Sequence, residues 1–289
     1  EMISEKDAKS IEPRVRTFDR AIWSPTTSTA KPLEVLSAMR SDAERSGIVF
    51  KTGCRFVDWN GDSIITDAGM IDAGYVVNAA GLYADRVANK FGFCEDYCIL
   101  PFKGLYLYAG ENVKSLATNI YPVPDLRNPF LGVHFTVSAD GRLKVGPTAI
   151  PALWREQYSA TQNFKLDEFV EIAFRELGLM VSADFDFRTL ALEELRKYNR
   201  KYLVEKASSL LDGVVSSDFR SWGRPGIRAQ LMNKKTRKLE MDFVLEGNEK
   251  SFHVLNAVSP GWTCSQPFSS YIADKIQFNI GDSPVDGAS

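Results

Sequence analysis

The chain has 289 residues, with 35 lysines and arginines against 37 aspartates and glutamates, for a net charge of −2. Hydrophobic residues make up 44% and charged residues 25%, a globular composition able to bury the core of one large domain or two joined ones. The near-neutral balance argues against an electrostatic nucleic-acid binder, and no apolar run approaches the length of a membrane span.

In chain order, ISEKDAKSIEP predicts a short helix with Ser4 as N-cap, Asp7 three residues on and Pro13 as its stop. KPLEVLSAMRSDAERSG predicts the clearest helix. Pro32 suits its first turn, Leu33, Leu36, Met39 and Ala43 form one apolar stripe, and Gly47 caps it. Short strands follow in IVFK, CRFVDW and SIIT, with Asn60-Gly61-Asp62 as a hairpin signal between the last two. GYVVNA returns as a strand whose composition predicts burial on both faces. This helix, strand, hairpin, strand series suits the second half of a nucleotide-binding α/β domain.

The stretch VVNAAGLYAD (76–85) reads as a buried strand running into a helix through Ala79-Ala80-Gly81. A turn without bulky side chains lets a ligand approach the backbone, and a helix N-terminus attracts anions. The same three residues also suit plain strand–helix packing.

From Ile99 the character changes. ILPFKGLYLYAG, NIYPVP, FLGVHFTV and RLKVGPTAI are four strand-like runs, with Asp140-Gly141 turning the last two, and they predict one large antiparallel sheet. Residues 165–211 read as helical, with Leu166, Phe169, Val170, Ala173 and Leu177 on one face. GRPGIRAQL, EMDFVLE and FHVLNA restore strands, and CSQPFSSYIADKIQF closes as a helix after a Ser259-Pro260-Gly261 turn. The tail GDSPVDGAS reads as a frayed terminus.

The four cysteines show no metal-type pairing, and with two histidines in the chain any metal site would need mostly carboxylates. No metal is expected. Reduced thiols, a polar start and no secretory signal suit a cytoplasmic location, free or peripheral to a membrane.

Five blocks together carry a resemblance: PFKG (101–104), YPVPDLRNPFLGVHFT (121–136), KVGPTAI (144–150), GIRAQL (226–231) and HVLNAVSPGWT (253–263). In this order and spacing the chain resembles the D-amino-acid-oxidase-like superfamily of FAD-dependent oxidoreductases, and within it the L-2-hydroxyglutarate oxidases. The family opens with a strand-Gly-x-Gly-x-x-Gly-helix unit that holds the FAD pyrophosphate. None of the twenty glycines forms that fingerprint. The chain therefore looks like the C-terminal part of a longer enzyme, expected to hold FAD weakly and to be inactive alone.

The resemblance implies a mixed α/β (α+β) fold. An incomplete FAD-binding, Rossmann-like domain (1–95 and 224–280) would be interrupted by a mainly antiparallel β-sheet substrate domain with helices (96–223), with 281–289 a flexible tail. It implies FAD as cofactor and a small-molecule 2-hydroxy acid as substrate. Phe56, Ala79, Ala80, Gly81, Gly226, Ser259, Gly261 and Thr263 then fall at the cofactor, while Trp262 stands where the family usually has a small residue.

Removing the hydroxyl proton needs a base, and an imidazole titrates near working pH, so His134 is the catalytic candidate. Arg228 can bind a carboxylate through two parallel hydrogen bonds. Lys103 is a second cation, and Tyr121 can donate its hydroxyl to substrate. Each also has a plain structural role open to it: pocket shaping for His134, an ion pair for Arg228, a solvated strand lysine for Lys103, core packing for Tyr121. His253 receives no role. An amino-acid or glycerol-3-phosphate oxidising flavoenzyme stays open as an alternative, as does a cofactor-free binding module; the electron acceptor, oxygen or quinone, is open too.

Overall fold

A computed structural model describes residues 1–124, 132–182 and 185–281. The expected flexible tail falls almost entirely outside the described residues, as does the start of the FLGVHFTV run. Strand β1 (Met2–Ser4) leads into helix α1 (Glu5–Ile11), where the Ser4 hydroxyl accepts the Asp7 N–H and the Asp7 carboxylate accepts the Ser4 N–H. β2 (Arg20–Ile22) follows, then α2 (Pro32–Arg45), which ends before Gly47 at φ +86°. β3 (Phe56–Trp59) and β4 (Ser63–Thr66) form the expected hairpin. There the Asn60 side-chain oxygen accepts the Asp62 and Ser63 N–H groups.

β5 (Gly69–Asp72) and β6 (Val76–Asn78) precede α3 (Ala84–Lys90). The next strands are β7 (Tyr97–Gly104), β8 (Leu107–Ala109), β9 (His134–Val137), β10 (Leu143–Gly146) and β11 (Ile150–Pro151). Three helices follow: α4 (Leu166–Ser182), α5 (Phe185–Arg196) and α6 (Arg200–Ser208). β12 (Phe219–Trp222), β13 (Gly226–Asn233), β14 (Val244–Gly247), β15 (Ser251–Asn256) and α7 (Ser265–Ile280) complete the described chain.

The large antiparallel sheet expected from Ile99 onward is instead two sheets. One runs β12-β8-β10-β9 and the other β11-β7-β13. The switch occurs between β7 and β8, where Thr148 bridges the chain: its hydroxyl accepts the Leu105 N–H, and its own N–H donates to the Leu105 carbonyl. NIYPVP contributes one bridge, Ile120 to Phe135, because two prolines remove donors a ladder needs. β7 and β13 pair over eight residues, Gly104 opposite Gly226 and Phe102 opposite Arg228.

Three further expectations are corrected. IVFK forms no strand, pairing with no neighbour among the described residues, and Ile48, Val49 and Phe50 are exposed. β6 is buried on one face only: Val76 and Asn78 are inside, but Val77 is 49% exposed. Among the described residues β6 pairs with β15 alone, parallel, while β15 also pairs antiparallel with β14, which puts β6 at the edge of that sheet. On α4 Leu166, Val170 and Leu177 of the expected apolar face meet solvent with Phe174, which is 77% exposed; Glu168, Ile172 and Leu179 point inward.

The main core gathers Leu107, Phe135, Val145 and Phe219 from the four-stranded sheet with Leu203, Val204 and Ala207 of α6. A second cluster joins Ala84 and Ala88 of α3 to Ile99, Leu231 and Leu255. These residues fix the β7–β13 ladder between the strands around β15 and the sheet around β10.

Candidate active site

Where β7 and β13 end together, the chain leaves a cavity of about 610 Å³. Gly104 and Gly226 face each other at that end, followed by Pro147 and Thr148 on one side and the Ala257–Thr263 turn before α7 on the other. Its wall carries three cations, Lys144, Arg224 and Arg228, and the phenols Tyr106 and Tyr108, with no aspartate or glutamate among the described lining residues. Gly226, Arg228, Ser259, Gly261 and Thr263, far apart in sequence, all line it.

Each element places its side chain for a local reason. Alternation on β13 turns Gly226 and Arg228 to the same face. Burial pushes the Arg228 guanidinium below its usual pKa. Gly261 is required by the turn itself, since a Cβ there would come within 2.8 Å of the Val258 carbonyl. At Gly226 a Cβ would meet nothing within 4 Å, so the backbone stands bare at the cavity wall.

His134 lies behind that wall. Its Nδ1 donates to the Gly132 carbonyl at 2.9 Å, which leaves Nε2 with the lone pair. Tyr121 stacks on its ring with centroids 4.1 Å apart, and Tyr106, a cavity-lining residue, meets it edge-on at 6.2 Å. Burial, with a smaller push from the Lys144 charge, moves the His134 pKa down, so the imidazole is neutral at neutral pH. Tyr121 itself is 52% exposed.

Lys103 is buried in β7 beside Gly104 and is not among the cavity-lining residues; burial alone lowers its pKa. Phe56 stacks with Phe91 at 5.9 Å, and Ala79, Ala80 and Gly81 form an exposed turn with Gly81 at φ +55°. These four sit with β6 and β3, apart from the cavity lining. Lys144 went unnoticed in the sequence. Its one visible signal is a lysine between Leu143 and Val145, both buried, which alternation must turn to the opposite face. Its ammonium lies 4.5 Å from the Tyr106 ring centre, and burial lowers its pKa.

Among the described residues no group of three His, Cys, Asp or Glu side chains could hold a metal, and no helix is long and apolar enough to cross a membrane. A sequence model of the FAD dependent oxidoreductase family matches residues 1–275. The chain belongs to that family. Curated relatives include the mitochondrial L-2-hydroxyglutarate dehydrogenases of Nematostella vectensis, 33% identical over 95% of this chain, and of Homo sapiens, 31% identical over 96%. The chain spans 64% and 63% of their respective lengths.

Solved structures share the fold at low identity. The FAD-bound L-alpha-glycerophosphate oxidase of Mycoplasma pneumoniae superposes with a TM-score of 0.64 at 15% identity, over 98% of this chain and 66% of its own. Glycine oxidase from Geobacillus kaustophilus gives 0.62 at 15% identity, over 100% of this chain and 67% of its own. In this oxidoreductase family, then, the expected mixed α/β architecture holds.

Proposed function

We propose that this chain is the larger part of an FAD-dependent oxidoreductase that oxidises L-2-hydroxyglutarate or a similar 2-hydroxy acid. The observation that carries it is the cavity, with Arg228, Arg224 and Lys144 on its wall and no carboxylate among the described lining residues. Three cations around one cavity favour a dianionic acid. The L-2-hydroxyglutarate dehydrogenase names of relatives spanning 95% and 96% of the chain support the same substrate class.

The residues fit the family's cofactor. Gly226 and Gly81 both offer bare backbone with open space where a Cβ would stand. Ser259, Gly261 and Thr263 precede the sixteen-residue α7, whose N-terminus favours a polar or anionic group. Phe56, Ala79, Ala80 and Gly81 would hold the nucleotide side, and Gly226, Ser259, Gly261 and Thr263 the ring side. When bound, FAD supplies the two-electron acceptor for the alcohol carbon.

This chain's own residues do the rest. Arg228 holds one substrate carboxylate in a forked pair and fixes the hydroxyl-bearing carbon. Lys144 holds the second carboxylate, and Lys103 adds positive potential from the strand behind. We assign the hydroxyl proton to His134, neutral and with Nε2 unprotonated, which lies behind Tyr106 of the cavity wall. Tyr121 stacks on its ring and keeps it oriented. The free thiols at Cys54, Cys94, Cys98 and Cys264 support a reducing, cytosol-like compartment.

The test is a flavin-loaded full-length protein mixed anaerobically with L-2-hydroxyglutarate, which is expected to bleach the yellow flavin band. His134→Asn keeps size and polarity but cannot take the proton, and it is expected to slow that bleaching by about 10²–10⁴-fold. Arg228→Met should leave flavin content intact and weaken acid binding by about 2–5 kcal/mol. A folded but colourless protein would overturn the proposal in favour of a cofactor-free binding module.

A further inference from the structure

His253 is fully buried in β15, yet the chemistry proposed above gives it no task. Its ring lies between Phe91 at 5.0 Å and Phe93 at 4.8 Å. Both nitrogens have partners: Nδ1 is 3.1 Å from the Asn78 amide nitrogen and Nε2 is 3.0 Å from the Ser251 hydroxyl.

Asn78 decides where the ring proton sits. Its side-chain oxygen accepts the Ala80 N–H at 3.1 Å, so its NH₂ group must point the other way. That NH₂ donates to the Ala84 carbonyl at 2.8 Å and to His253 Nδ1. Nδ1 is therefore the acceptor, and Nε2–H donates to Ser251. Flipping the Asn78 amide would set an NH₂ against the Ala80 N–H and an oxygen against the Ala84 carbonyl. Protonating Nδ1 would set two donors face to face.

We infer that His253, held as the neutral Nε2–H tautomer by Ser251, is a positioning residue that locks Asn78 and through it the Ala79-Ala80-Gly81 turn. The turn needs such a lock. Ala79, Ala80 and Gly81 are exposed, and Gly81 has φ +55° with open space around it. Asn78 spans the turn, binding the Ala80 N–H at its start and the Ala84 carbonyl at the head of α3. The turn's own backbone adds two short-range bonds, from the Tyr83 N–H to the Ala80 carbonyl and from the Ala84 N–H to the Gly81 carbonyl, and neither holds the Ala80 N–H.

The surroundings keep His253 uncharged. Burial pushes its pKa down to about 4. The facing groups are Phe91 and Phe93 after α3, Asn78 on β6, and Glu246 opposite it on β14; Glu246 is already engaged, accepting the Cys94 N–H at 2.7 Å. The Cys94 thiol, raised to about 12 by burial, supplies no charge at neutral pH.

This matters for function only because the proposal above sets the 79–81 turn against the dinucleotide, but its test needs no flavin. A colourless protein would sink the flavin proposal and leave this one standing. The chain holds only two histidines, so ¹⁵N-histidine labelling gives two imidazoles, told apart by the His134→Asn spectrum.

His253 should show the Nε2–H pattern at pH 7 and keep it down to about pH 5. Asn78→Asp keeps an oxygen for Ala80 but turns a carboxylate to Nδ1, which should raise the His253 midpoint by about two pH units or more. His253→Leu should speed hydrogen exchange of the Ala80 amide by about tenfold while leaving the Leu255 amide on β15 unchanged. If that variant fails to fold, Ser251→Ala removes only the Nε2–H acceptor and should raise Ala80 exchange by about threefold. An Nδ1–H tautomer, an unmoved midpoint in Asn78→Asp, or unchanged Ala80 exchange in the folded variants would each overturn the inference.

Discussion

Helix α6 sets Leu203, Val204 and Ala207 against Leu107, Phe135 and Val145, and all six are buried, whereas α2 presents Leu33, Leu36 and Met39 to solvent. Both stripes have helical period, and α2 is the longer and better patterned of the two. A period states which face is apolar; a partner surface is a separate fact. The four-stranded sheet supplies that surface for α6. Nothing among the described residues supplies it for α2, where Leu33 is 80% exposed.

The contrast extends beyond these two helices. α7 also buries none of its residues, and β6 has a neighbour on one side only. These bare pieces all fall within the stretches proposed as a partial FAD-binding domain. The part of the L-2-hydroxyglutarate dehydrogenases that this chain does not span is the natural complement in that proposal. The cavity stands at the end of the β7–β13 ladder, whose Ile99, Leu100 and Leu231 are buried.

The strongest blow to that buried half falls on the Asp85–Arg155 pair. Arg155 is 1% exposed, and its guanidinium meets the Asp85 carboxylate in two bonds of 2.8 and 2.9 Å while also donating to the Leu82 carbonyl. Asp85 additionally accepts the Ile99 N–H, so one carboxylate ties α3, β7 and the segment after β11 together. Arg155→Met fills much of the space but strands a buried carboxylate. It is expected to cost about 3–5 kcal/mol in urea unfolding, and a cost below about 1 kcal/mol would mean the halves are held by packing alone.

Next in size is the direct comparison of the two stripes. Leu203→Ala removes a fully buried side chain from the main core and is expected to cost about 2–5 kcal/mol. Leu36→Ala, on a face that meets solvent, is expected to stay within about 0.5 kcal/mol. Equal losses would show that α2 is covered in solution by something, a second copy included.

What the sequence made legible was local. The Ser4–Asp7 cap, the Asn60 hairpin and the start of α7 depend on residues within a few positions of one another, and all appear. Sheet membership did not. Nothing between Leu100 and Leu107 announces that the chain leaves one sheet for another, because the cause is Thr148, forty-odd residues on. At the site, the family blocks brought Gly226, Arg228, Ser259, Gly261 and Thr263 to one cavity wall. Lys144 escaped because a strand lysine is usually solvated, and only the fold shows which face of β10 meets the cavity.

Helix α4 offers the finest test, since it carries both situations at once. Its outer face is bare at Leu166, Val170, Phe174 and Leu177, while Glu168, Ile172 and Leu179 are buried. Glu176 belongs with the inner set: its Oε1 is buried with no hydrogen-bond partner among the described residues, and burial pushes its carboxyl up to about 8. The folded protein therefore binds a proton at neutral pH that the unfolded chain, titrating near 4.5, has released. Folding stability linked to this group is complete below about pH 4.5 and is lost as pH rises toward 8. Glu176→Gln keeps the shape and cannot ionise. The variant should match the wild type near pH 4.5 and become more stable by up to about 3 kcal/mol at pH 7. Urea midpoints across pH 4.5 to 8 decide it: parallel curves would place Glu176 in water, and the inner face of α4 would then be as bare as the outer.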